Sequence, residues 1–172
     1  MGSSIAYVNG TYLQASGSGS TPSTNMTGVN FLRAAMAHYI ANGEAADRPT
    51  DNLGNVYASK FYAYNPTGLY LSYWYKESPT VSSSMVFTQG AGPQYATLAV
   101  DGWSGVAASS AVETTYTANG NSSTTSLQPG SLTPVNDGAL LAFVAFQGDG
   151  PASSAGSGFS FHTNAAGIGG VA

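Results

Sequence analysis

Charge is what this chain has least of: 7% of its 172 residues are Asp, Glu, Lys or Arg, where roughly 25% is typical of globular proteins. The basic residues are Arg33, Arg48, Lys60 and Lys76, scattered singly, and the formal net charge is −4. Phosphate backbones and acidic lipid surfaces are both held by clustered cations, so neither nucleic acid nor an anionic membrane is expected as a partner. Cysteine is absent, which excludes disulfides, thiolate metal sites and cysteine nucleophiles. No apolar run reaches the about 18 residues of a membrane-spanning helix. Met1 is followed by polar, uncharged residues rather than by the basic and apolar regions of a signal peptide. The expectation is a chain that neither inserts into a membrane nor carries a visible export signal.

Hydrophobic residues make up 42% of the chain, enough to bury a core, and the length suits one domain spanning residues 1–172. Its polar surface must be built from Ser, Thr, Asn, Gln, Gly and Tyr, which makes it neutral and hydrogen-bonding. Turn chemistry recurs at short intervals, as at Asn9-Gly10, Asn42-Gly43, Asn65-Pro66, Gly92-Pro93, Asn119-Gly120, Pro129-Gly130, Asp137-Gly138 and Asp149-Gly150. Between these turns lie short runs of Val, Tyr, Phe, Thr and Leu, residues that suit a pleated, half-buried surface. Strands are predicted near Ile5–Leu13, Phe31–Ile40, Val56–Tyr64, Leu69–Lys76, Met85–Thr88, Tyr95–Trp103, Ser122–Leu127, Ala139–Gln147 and Phe159–Thr163. Of these, Phe31–Ile40 is Ala-rich with apolar residues at helical spacing, so pattern alone fits helix and strand equally. Within Leu69–Lys76, period two separates Leu69, Leu71, Tyr73 and Tyr75 from Tyr70, Ser72, Trp74 and Lys76, and the second set reads as the wetter face. Ala139–Phe146 is continuously apolar, as expected of a central strand covered on both sides. No repeat of solenoid or propeller length is visible.

Four segments occur in order: Thr50-Asp51-Asn52-Leu53-Gly54-Asn55-Val56-Tyr57, Tyr95-Ala96-Thr97-Leu98-Ala99-Val100-Asp101-Gly102-Trp103-Ser104-Gly105-Val106, Pro134-Val135-Asn136-Asp137-Gly138-Ala139-Leu140-Leu141 and Ala155-Gly156-Ser157-Gly158-Phe159. Through them the chain resembles a group of bacterial and bacteriophage β-sandwich proteins of the minor-tail or virion-surface kind. The resemblance implies an all-β fold, an antiparallel, jelly-roll-like β-sandwich, and it favours strand over helix at Phe31–Ile40. It places Trp103 as a core or sandwich-edge anchor. It also implies one or two strands beyond Ala155–Phe159, where this sequence has only Gly167-Ile168-Gly169-Gly170-Val171-Ala172. A closing C-terminal strand is then unaccounted for, which points to an edge open to a neighbouring subunit.

Catalytic chemistry finds little to stand on. A nucleophilic Ser needs a base and an orienting acid, the only imidazoles are His38 and His162, and Gly156-Ser157-Gly158 lacks the flanks of a nucleophile elbow. Both His read as structural or surface residues. The carboxylates Glu44, Asp47, Asp51, Glu77, Asp101, Glu113, Asp137 and Asp149 lie mostly in turns, without the paired motif of a glycosidase. Oxygen ligands gather at Glu44, Asp47, Asp51, Asn52 and Asn55, but without EF-hand spacing they read as a solvated loop, and no metal or cofactor is expected. Three glycosylation triplets, at Asn9, Asn25 and Asn121, are what chance gives a chain rich in Asn, Ser and Thr.

Eleven Tyr and two Trp in a chain so poor in charge are the more informative feature. Sugar rings offer apolar faces to aromatic rings and hydroxyls to neutral polar groups, so Tyr70, Ser72, Trp74 and Lys76 form a candidate carbohydrate-binding face. The competing reading of those rings is packing. The sequence thus leads to a non-enzymatic surface-assembly protein, a phage tail, decoration or adhesive component or an extracellular structural subunit. Such a protein self-associates or joins other surface proteins on the virion or outside the cell. A carbohydrate-binding module is the rival expectation, and a small glycoside hydrolase the weakest.

Overall fold

Frequent turns leave no room for long helices, and the computed structural model, which describes residues 4–39, 48–64, 69–90, 95–112, 142–145, 160–165 and 168–171, contains no helix among them. The strands are β1 (Ala6–Ala15), β2 (Phe31–Tyr39), β3 (Thr50–Asp51), β4 (Ala58–Tyr64), β5 (Leu69–Glu77), β6 (Phe87–Thr88), β7 (Tyr95–Ser104), β8 (Ala142–Ala145), β9 (Phe161–Ala165) and β10 (Ile168–Val171). Five form one sheet in the order β1-β7-β2-β5-β4, three form a second in the order β8-β10-β9, and β3 pairs with β6. All pairings are antiparallel. Against the second sheet's members, β9 touches β1 and β7, β8 touches β5, and β10 touches β7.

The ambiguous segment Phe31–Tyr39 is a strand, and its surroundings explain its composition. It is hydrogen-bonded to β5 on one side and to β7 on the other, each over nine consecutive residue pairs. Phe31 to His38 are all buried. A strand covered on both faces loses the polar half of its alternation, and the three alanines at 34, 35 and 37 let neighbouring layers approach closely. Ala propensity for helix is a weak preference that such pairing overrides.

One face of the large sheet carries Leu32, Ala34 and Met36 of β2, Trp74 of β5 and Leu98 and Val100 of β7. These pack with Met26, Val29, Tyr57, Met85 and Phe87 from outside the sheet into one core. The covering layer is held by its own backbone: Thr21 N–H donates to Phe87 O and Thr24 N–H to Met85 O, both at 2.8 Å, and Met26 N–H to Ser82 O at 2.9 Å. Gly102 in β7 is required by this layer, because a Cβ there would lie 2.5 Å from Val29 Cγ2 and 2.9 Å from Met26 Sδ. The opposite face is lined centrally by Ala35, Ala37 and Ala99 with Leu71 and Tyr73 beside them, and it is this face that bears Trp103, Asp101 and Arg33.

Several expectations change in detail. Alternation in β5 holds, but its sides are reversed: Tyr70, Ser72 and Trp74 are buried, whereas Leu71, Tyr73 and Tyr75 are partly exposed. The reason is the covering layer, assembled from residues far from β5 in sequence. Among the described residues β2 and β7 are buried on both faces, and Ala142–Ala145, the described part of the apolar run Ala139–Phe146, pairs with β10. Ile168–Val171, for which no strand was expected, sits in the middle of the three-stranded sheet. Its Ile-Gly-Gly-Val sequence pairs through backbone and offers little side-chain pattern to read. The strand expected at Ser122–Leu127 lies outside the described residues.

Candidate functional site

The aromatic face of β5 can be placed residue by residue. Trp74 is 4% exposed and belongs to the main core, Ser72 is 3% exposed, and Tyr70 is 9% exposed with its ring stacked on His38 at 5.4 Å between centroids. Lys76, at the end of the row, is partly exposed. Pleating brings the four residues onto one side of one strand, and Tyr70, Ser72 and Trp74 are buried there.

The two imidazoles are far apart in role. His38 is buried; its Nδ1 lies 3.3 Å from the Met36 carbonyl oxygen and its Nε2 has no hydrogen-bond partner. Burial lowers its pKa below the usual value, against a smaller opposing effect of the Met36 carbonyl. Among the described residues no carboxylate or hydroxyl engages it as a triad would. His162 of β9 is partly exposed and packs on the first sheet, stacked on Tyr7 at 4.4 Å and edge-on to Trp103 at 5.1 Å. It joins the two sheets, and Trp103, 4% exposed, is the anchor it rests on.

The described carboxylates are each engaged by protein donors. Asp51 Oδ1 accepts from the Leu53 and Asn55 backbone N–H groups at 2.9 and 3.2 Å, and Oδ2 accepts from Tyr57 Oη at 2.6 Å and Asn55 Nδ2 at 3.0 Å. Asn52 bridges Ser84 O and Val86 N–H, and Asn55 bridges Thr80 O and Thr80 N–H. The side chains of Asn52 and Asn55 thus fasten the 50–57 loop to residues 80–86, while Asp51 organises the loop itself. Tyr57 is fully buried, and burial, with the bond to Asp51, raises its phenol pKa strongly. Glu77 Oε1 accepts from Ala111 N–H at 2.6 Å. Among the described residues no group of three or more His, Asp or Glu converges as a metal site; Glu44, Asp47, Glu113, Asp137 and Asp149 lie outside them. A shallow open hollow of about 420 Å³ is lined by Arg48, Pro49, Thr50, Asn55 and Val56, and Arg48 is turned to the Tyr57 carbonyl at 3.0 Å.

A feature not singled out from the sequence is an ion pair inside the protein. Arg33 Nη2 donates to Asp101 Oδ2, and both side chains are 0% exposed. The guanidinium carbon also lies 5.7 Å from the Trp103 ring centroid, a cation–π distance. A signal was present: a single Arg within the apolar run of β2 and a single Asp within that of β7 each require a buried partner. Their register, Arg33 opposite Asp101, supplies it.

The surface feature that stands out is β1. It is the last strand on its side of the five-stranded sheet, and all ten of its residues are at least partly exposed, Val8 at 36% and Tyr12 at 52%. Its sequence, Ala-Tyr-Val-Asn-Gly-Thr-Tyr-Leu-Gln-Ala, contains no charge and no proline. Comparisons of the chain with protein-family models, with curated proteins and with solved structures found no match.

Proposed function

We propose that this chain is a non-enzymatic surface-assembly protein, acting through protein–protein contacts as a phage tail, decoration or adhesive component or an extracellular structural subunit. The observation that carries the proposal is β1, an uncharged edge strand whose outer backbone is bonded to no strand among the described residues. Such an edge is a template for pairing with another chain. The neutral, hydrogen-bonding surface and the order of the four sequence segments agree with it. Within the proposal the architecture is a jelly-roll-like sandwich: β9, β8 and β10 touch strands of the larger sheet, and the insertion of β7 between β1 and β2 is a crossover of the Greek-key kind.

The test is the mass of the purified chain by light scattering and sedimentation up to high concentration. Association through an interface of more than about 1,000 Å² is the expected result, and a strictly monomeric species throughout overturns the proposal. Release of sugar from a polysaccharide, abolished by replacing one carboxylate, would overturn its non-enzymatic part.

A further inference from the structure

The 50–57 loop is fixed by many side-chain bonds. Asp51 accepts four hydrogen bonds from within it, Gly54 turns it at a φ of +74°, and Asn52 and Asn55 tie it to residues 80–86. This loop nevertheless holds Val56 at 68% exposure, the most exposed large hydrophobic side chain among the described residues. Val56 and Pro49 supply apolar parts of the hollow of about 420 Å³, and Arg48, Thr50 and Asn55 supply polar ones. Ligand sites run from about 300 to about 1,000 Å³, so this hollow suits a small group. Its polar residues differ in what they have left to offer. The Asn55 amide is engaged at both ends, by Thr80 and by Asp51. Arg48, an exposed residue, uses Nη1 to bond the Tyr57 carbonyl at 3.0 Å. That bond anchors the guanidinium and leaves its Nε–Nη2 edge, whose two parallel N–H groups match the two oxygens of a carboxylate. Thr50, also exposed, adds a hydroxyl.

We infer that this hollow binds the C-terminal carboxylate of a partner polypeptide whose last residue is apolar, with the carboxylate on Arg48 and Thr50 and the last side chain on Val56 and Pro49. The cation selects the charge of the ligand, and the apolar wall selects what carries it. A chain end bears its carboxylate and an apolar side chain on one Cα. An Asp or Glu side chain ends in its charge with nothing apolar beyond it, and inorganic phosphate has no apolar part. The fixed loop favours binding as well, because a site ordered in advance loses little conformational freedom when the ligand arrives. The inference goes beyond the assembly reading and does not depend on β1, since peptide binding is measured whether or not the chain associates with itself.

The experiment titrates the whole chain with the peptide acetyl-Ala-Ala-Leu, following the amide signals of residues 48–57 by NMR, beside the same peptide as its C-terminal amide and beside acetate. The acid should bind saturably by about 10 mM. The amide lacks the charge and acetate lacks the side chain, so each should bind about tenfold more weakly or worse. Arg48→Gln keeps a donor for the Tyr57 carbonyl but loses the charge and the paired edge, and should weaken the acid by about tenfold or more. Val56→Ser, at an exposed position where folding is not at stake, should weaken it by about threefold or more. An amide bound as tightly as the acid, or an affinity for the acid unchanged by Arg48→Gln, overturns the carboxylate site. Acetate bound as tightly as the peptide overturns the assignment to a chain end. No saturable shift with the acid by about 10 mM overturns the inference as a whole, and the assembly reading then stands or falls on self-association alone.

Discussion

Replacing Asp101 by Asn removes the charge of the carboxylate that accepts from the Arg33 guanidinium, which stays at 0% exposure. Breaking a buried ion pair from one side costs about 3–5 kcal/mol, a large share of the about 5–15 kcal/mol that holds a typical domain folded. Trp103, with its ring 5.7 Å from the guanidinium carbon, contributes only about 0.5–2 kcal/mol by the cation–π effect and cannot replace the carboxylate. Replacing both partners together, Arg33→Met with Asp101→Leu, should lie between neutral and about 4 kcal/mol more stable, because neither charge then has to be dehydrated. Urea unfolding of the wild type, Arg33→Met, Asp101→Leu and the double variant at neutral pH, read at constant slope, gives the cycle. Tyr73 supplies an independent readout. Burial is the main cause that holds its phenol pKa up, from 10.0 to about 12, with Arg33 lowering it and Asp101 raising it. In Asp101→Asn the raising charge is gone and the lowering one remains, so ultraviolet titration should find Tyr73 ionising at lower pH. In the wild type the folded phenol keeps its proton where the unfolded one loses it, so stability should fall as pH rises from 10 through about 12. A single-variant cost below about 1 kcal/mol, or single costs that simply add in the double variant, would refute the account of Arg33 and Asp101 as a buried, mutually dependent pair.

Gly102→Ala should destabilise the chain by about 1–3 kcal/mol, because the added carbon meets Val29 and Met26 at 2.5 and 2.9 Å; thermal unfolding checks it, and a neutral result would mean that the 26–29 segment yields freely. Asp51→Ala should lower stability by about 2–3 kcal/mol, since the hydroxyl of buried Tyr57 loses its 2.6 Å acceptor; the same unfolding assay decides. His38 has a folded pKa below its ordinary 6.5, so the unfolded chain binds a proton that the folded chain does not, and stability is lost as pH falls below about 6.5. His38→Phe keeps a ring beside Tyr70 and removes the titration, so its urea midpoint should change less than the wild type's between pH 7 and pH 5.

Strand content was readable from the short runs of Val, Tyr, Phe, Thr and Leu, which suit a pleated surface, although Asn9-Gly10, which reads as a turn, lies within β1. Side was harder to read than period. In β5 the alternation of Leu71, Tyr73 and Tyr75 with Tyr70, Ser72 and Trp74 is a property of six adjacent residues, but which set is buried depends on Met26, Met85 and Phe87, brought over Trp74 by pairing at long range. The polar loop at Asp51, Asn52 and Asn55 shows the same limit. Oxygen-rich composition cannot distinguish a cation site from a loop fastened to Thr80, Ser84 and Val86, because the partners lie some 25 to 34 residues away. The Arg33–Asp101 pair was not read from the sequence, although a lone charge in an apolar strand implies its opposite. Two short elements left no pattern: Thr50–Asp51 and the glycine-containing Ile168–Val171 are held by backbone bonds to neighbours.

The central claim concerns the β1 edge, and amide hydrogen exchange of the wild-type chain at two concentrations addresses it without any substitution. Outward-directed amides of Asn9–Leu13 should exchange quickly in dilute solution and slow markedly as the protein is concentrated, while those of β2 and β7, buried at either concentration, stay equally protected. Identical exchange along β1 at both concentrations, in a sample shown to have associated, would contradict it.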